Sequence, residues 1–82
     1  IKPKNANAYY NRGVVKYGLK DYQAAIADYT KAIELDPQNA NAFVNRGVAR
    51  ELVNDLEGAC RDWRKAADLG LTQPAEWVKK QC

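Results

Sequence analysis

The sequence predicts an all-α fold: two helical hairpins stacked in register and closed by one further helix. Three observations predict it. The chain repeats itself at an interval of 34 residues, its apolar and small residues recur every three or four positions, and Asp, Pro and Gly stand where helices start and stop. Laid over residues 40–73, residues 6–39 match without a gap at about thirteen positions. Ala6-Asn7-Ala8 meets Ala40-Asn41-Ala42, Asn11-Arg12-Gly13-Val14 meets Asn45-Arg46-Gly47-Val48, and Asp28 meets Asp62.

The first unit, 6–39, reads as helices over about 6–19 and 22–35, and the second, 40–73, as helices over about 40–53 and 56–69. Tyr9, Arg12, Gly13 and Lys16 form one stripe, and Tyr22, Ala25, Ile26, Tyr29, Ala32 and Ile33 another. Lys20-Asp21 makes the first turn, with Asp21 and its counterpart Asp55 placed as N-caps. Lys20 stands where glycine is common in such a turn, so strain or a departure from the Asn54 turn is expected. Asp36-Pro37 ends the first unit and Gly70 the second, while Pro74 suits the first turn of a last helix over 74–82. The same ruler reaches both ends. Tyr9, Phe43 and Trp77 fall 34 apart, and Ile1-x-Pro3 matches Leu35-x-Pro37, so residues 1–5 read as the tail of a preceding repeat. The chain is accordingly expected to be the C-terminal portion of a longer protein, an expectation its start without methionine supports.

Composition narrows function by exclusion. The 82 residues suffice for one small unit, and a mean hydropathy of −0.62 with no long apolar run argues for a soluble chain without membrane insertion. The sequence contains no histidine, which removes the usual general base and zinc ligand, and it shows no Gly-rich phosphate loop or paired-carboxylate site. An enzyme is not expected, nor a cofactor. Two cysteines are too few for a structural zinc site. The net charge is +3, but Lys2, Lys4, Lys16, Lys20 and Arg50 are dispersed among acidic residues, so nucleic acid is not the expected partner.

Aromatic, Gly, Ala, aromatic, Ala and Pro at fixed places of a 34-residue helical hairpin resemble the tetratricopeptide repeat. Those places hold Tyr9, Gly13, Ala25, Tyr29, Ala32 and Pro37 in the first unit and Phe43, Gly47, Ala59, Trp63 and Ala66 in the second; Leu71 replaces the proline, and Trp77 restarts the pattern. The small residues let paired helices approach closely, and the aromatics fill the space between pairs. Arg12 and Arg46 depart from the family's usual leucine. Each pairs on paper with an aspartate one helix away, Asp28 or Asp62, which favours a structural ion pair over a ligand site.

The resemblance implies an α-α superhelix whose concave face is formed by the first helix of each repeat and binds a peptide or protein segment. It carries that face onto Asn7, Tyr10, Asn11, Val14 and Tyr17, onto Asn41, Val44, Asn45, Val48 and Glu51, and onto Lys79. Asn11 and Asn45 would bond a peptide backbone, or are polar surface residues kept by duplication. The five-residue carboxylate clamp of some relatives is matched only at Asn45 and Lys79; Tyr10, Val14 and Ala75 replace the rest. The alternative to a binding module is a spacer or C-terminal cap of a longer scaffold. The resemblance extends to the C-terminal end of bacterial members, where the array packs the helix of Cys60 against the last helix and brings Cys82 near it. Either the two form a disulfide, which implies an oxidising, extracytoplasmic setting, or Cys60 is a small core residue and Cys82 a loose end. Residues 74–82 are expected to cover Cys60, Trp63 and Ala67, whereas the first helix lacks such a cover and is expected to support weak self-association.

Overall fold

The computed structural model describes residues 3–82, and in them five helices: α1 (Pro3–Gly18), α2 (Tyr22–Leu35), α3 (Ala40–Leu52), α4 (Leu56–Asp68) and α5 (Thr72–Gln81). α1 pairs with α2 and α3 with α4 as hairpins; α3 then leans on α2, and α5 on α4. Of the tail expected over residues 1–5, residues 1 and 2 lie outside the described residues and 3–5 are already helical. Nothing in Pro3-Lys4-Asn5 forces a break, because proline is tolerated where the helix has no use for its N–H. α5 likewise begins at Thr72 rather than Pro74, with the proline ring buried in its first turn.

Local chemistry sets these limits. Asp21 accepts from the Ala24 N–H at 3.3 Å and Asp55 from the Gly58 N–H at 2.9 Å, capping α2 and α4. Asn39 does the same for α3, from Ala42 at 3.1 Å. α1 and α3 end alike. Lys20 and Asn54 take φ of 64° and 69°, and the next amide reaches back to the Lys16 or Arg50 carbonyl at 2.9 and 2.8 Å. The two turns therefore share one geometry, and the lysine carries the left-handed strain that asparagine tolerates better. Gly70, at φ 112°, closes α4 without that strain.

The core is mostly alanine around two large rings. Ala25, Ala32, Ala42, Ala49, Ala59 and Ala66 are fully buried, and Tyr29 and Trp63 occupy equivalent places one repeat apart. Each ring lies on a glycine of the preceding helix: a Cβ on Gly13 would stand 2.7 Å from Tyr29, and one on Gly47 2.5 Å from Trp63. The repeat thus uses glycine to seat a ring where a methyl group would collide. Trp63 also meets Trp77 of α5 edge to face at 5.2 Å, and a disulfide joins Cys60 to Cys82 across the same junction, Cα to Cα 6.0 Å.

Candidate functional site: a groove along α1 and α3

The charged side chains of α1 and α3 determine what is left for the groove. Arg12 grips Asp28 in a two-pronged contact, Nε at 2.9 Å and Nη2 at 2.7 Å, and Lys16 adds a contact at 3.3 Å. One repeat later Arg46 grips Asp62 at 3.0 and 2.8 Å, and Arg50 adds a third bond at 3.0 Å. Both carboxylates are buried, and the hydrogen-bonded Arg12 guanidinium holds Asp28 below the usual carboxylate range against the opposing effect of burial. These four cations therefore serve the hairpins and form no basic stripe.

The opposite side of α1 and α3 carries three adjoining clefts. Asn7, Tyr10, Asn11 and Asn41 line the first, of about 640 Å³, with Asp36, Gln38 and Asn39 of the α2–α3 loop. Val14, Tyr17, Asn45 and Val48 line the second, of about 280 Å³, whose floor is Tyr29. Asn41 and Val44 line the third, of about 300 Å³, with Leu71 to Pro74. Val14 is 42% exposed and Asn7, Asn11 and Asn41 are open to solvent. Glu51 is half-buried and Lys79 is exposed on α5, and neither lines these clefts.

Asn11 and Asn45 are not equivalent. The Asn45 side-chain amide donates to the Tyr10 hydroxyl at 3.1 Å, which ties α3 to α1, whereas Asn11 is exposed. The Tyr10 ring packs on Tyr29 at 5.9 Å, and burial, with a smaller contribution from Tyr10, pushes the Tyr29 hydroxyl up to about 12. The cleft floor is thus neutral across the ordinary pH range. The loop residues Asp36, Gln38 and Asn39 are additions that helix-face reasoning missed; nothing in their spacing marks them, because they reach the groove through the bend of the loop.

No group of three or more metal-binding side chains gathers among the described residues, and none of the described helices is long and apolar enough to cross a membrane. Helical hairpins packed one after another, with clefts along the first helix of each, define a helical-repeat architecture. Two tetratricopeptide repeat models match the chain, one over residues 6–39 and one over 28–61. The chain belongs to the tetratricopeptide repeat family. The second match is out of phase with the first, running from within α2 through α3 into α4, as a repeat permits when its period can be cut at any point. No curated protein matches the chain at a significant level. Members of this family are generally protein–protein interaction modules and typically non-enzymatic scaffolds.

Proposed function

We propose that the chain binds a peptide or protein segment in the groove along α1 and α3. The observation that carries this reading is the adjacency of the first two clefts, which sets exposed amides beside an apolar notch over several helical turns. Amides donate to and accept from a backbone without demanding particular side chains, and the notch offers one place for burial. The test is a pull-down with the wild-type chain beside an Asn7→Ala, Asn11→Ala, Asn41→Ala variant whose folding is confirmed by circular dichroism. A partner kept by the first and lost by the second supports the groove; equal recovery assigns binding elsewhere.

A second surface supports the scaffold reading, and the repeat itself provides the comparison. Ala42, Phe43 and Arg46 of α3 are covered by α2, and Arg46 donates to the Thr30 hydroxyl there at 3.2 Å. Their counterparts Ala8, Tyr9 and Arg12 form an open face of about 410 Å³ with Asn5; the Arg12 side chain is 58% exposed against 13% for Arg46. This face suits a helix of the α2 type, from a neighbouring repeat or another copy of the chain. Sedimentation equilibrium checks the second case, with concentration-dependent association expected and its loss in Tyr9→Lys. The Cys60–Cys82 bridge supports an oxidising compartment.

A further inference from the structure

We infer that the groove selects an extended segment with one aliphatic side chain in the Val14–Tyr17–Val48 notch and basic residues beside it, and that it disfavours acidic ligands. The inference rests on the peptide-binding reading above and specifies its ligand.

Two observations carry it. The first is the distribution of charge. The chain is basic overall, with thirteen Lys and Arg against ten Asp and Glu, yet among the residues whose side chains are described no Lys or Arg lines any of the three clefts. The cause lies in the hairpins: four of the cations on α1 and α3, Arg12, Lys16, Arg46 and Arg50, turn to Asp28 and Asp62 on the following helices. Among the described side chains the one formal charge lining the clefts is Asp36, half-buried at the wall of the amide-lined groove. A carboxylate entering this groove would lose water and meet amides but no cation among the described side chains, whereas a Lys or Arg would meet Asp36. The second observation is the notch. Its walls are Val14, Val48 and the face of Tyr17, its floor is the buried Tyr29 ring, and it is the most enclosed and most apolar of the three. At about 280 Å³ it lies just under the roughly 300 Å³ at which pockets for whole drug-sized ligands begin. It fits one side chain of a larger ligand, and Val14, left 42% exposed, is the apolar surface such a side chain would cover.

The experiment is selection from a phage library of random dodecapeptides against three folded proteins: wild type, Val14→Lys and Asp36→Lys. Val14 is solvent-facing and Asp36 lies in a loop, so both variants should fold, and circular dichroism melts confirm it before selection. Wild type should enrich peptides with a central Val, Ile or Leu and a net positive charge. Val14→Lys, with a cation in the notch, should bind those peptides about tenfold more weakly or worse. Asp36→Lys should keep the aliphatic preference and lose the basic one. Enrichment of acidic peptides, or of peptides lacking an aliphatic residue, that still disappears in Val14→Lys overturns this inference and leaves groove binding standing. If wild type enriches nothing beyond what Val14→Lys enriches, both readings fall.

Discussion

Replacing Asp62 by alanine tests how the two repeats differ despite their shared plan. Asp62 is 3% exposed and receives three charged N–H groups, two from Arg46 at 3.0 and 2.8 Å and one from Arg50 at 3.0 Å. Arg46 is itself only 13% exposed, so it cannot turn to water when its partner goes. Removing one member of a buried pair in this way costs about 3–5 kcal/mol, chiefly from the stranded charge. In a domain of this size each kcal/mol moves Tm by about 4–8 °C, so Asp62→Ala should melt about 12 °C or more below wild type. Asp28→Ala is the internal control. Arg12 holds Asp28 with the same two-pronged geometry but is 58% exposed, and once released it rehydrates, so the loss should be clearly smaller. Thermal melts by far-ultraviolet circular dichroism, backed by urea titrations with unchanged slope, give the answer. Replacing Arg46 by leucine in the Asp62→Ala background should recover part of the loss, because it removes the stranded charge. If the two aspartate variants melt within about 2 °C of each other, exposure of the arginine is not what sets the cost, and the reasoning fails.

Reducing the Cys60–Cys82 bridge, whose cysteines lie 22 residues apart, should cost about 3 kcal/mol in the chain-entropy account and lower Tm accordingly; two titratable thiols in denatured, unreduced protein would refute the bridge. Gly47→Ala should destabilise by about 1–3 kcal/mol less the roughly 1 kcal/mol gained in helix propensity, since the new methyl would stand 2.5 Å from the buried Trp63 ring. Gly18→Ala, with nothing within 4 Å of its new methyl, should instead stabilise by up to about 1 kcal/mol, and paired thermal melts separate the two. Stability should fall in acid as Asp28 protonates. Its folded pKa lies below the ordinary 3.8, so the contribution is complete above that value and is lost as pH falls through the depressed one; melts of wild type and Asp28→Asn should therefore converge in acid. In base the sign reverses for Tyr29: its folded pKa of about 12 exceeds 10.0, so stability is present below 10 and is lost as pH rises toward 12, and the last tyrosinate absorbance step should vanish in Tyr29→Phe.

What could be read from the sequence followed from repetition. Arg12–Asp28 and Arg46–Asp62 each sit sixteen residues apart in the same places of two units, so pairing was the economical account of both. The caps Asp21 and Asp55 and the close glycines 13 and 47 were legible for the same reason. Contacts between units were harder to see. The Asn45–Tyr10 bond spans 35 residues and Arg46–Thr30 sixteen in the opposite direction, and no periodicity within a helix announces either. The start of α1 was less legible, because residues 1–5 match Leu35 to Asn39 at the repeat offset and yet Pro3 opens a helix, as proline can; Pro74 does lie in the opening turn of α5, which starts two residues earlier at Thr72. The groove was partly legible, as its helical wall follows from register, while its loop wall at Asp36 to Asn39 depends on the path of the bend.

Within the described residues the two outer helices are held very differently, and this gives the opening of this segment a direction. α5 is fixed to α4 by a covalent bond and by the Trp63–Trp77 contact, whereas α1 rests on α2 and no described residue covers its Ala8–Tyr9–Arg12 face. In a stack where each element contacts only its neighbours, partial unfolding starts at the less secured end and travels inward. Amide protons of α1 should therefore exchange first and those of α4 last, with α3 between them. Because α1 also forms one wall of the groove, the earliest excursion from the native state of this segment is one that widens that groove while leaving the hairpin of α3 and α4 intact.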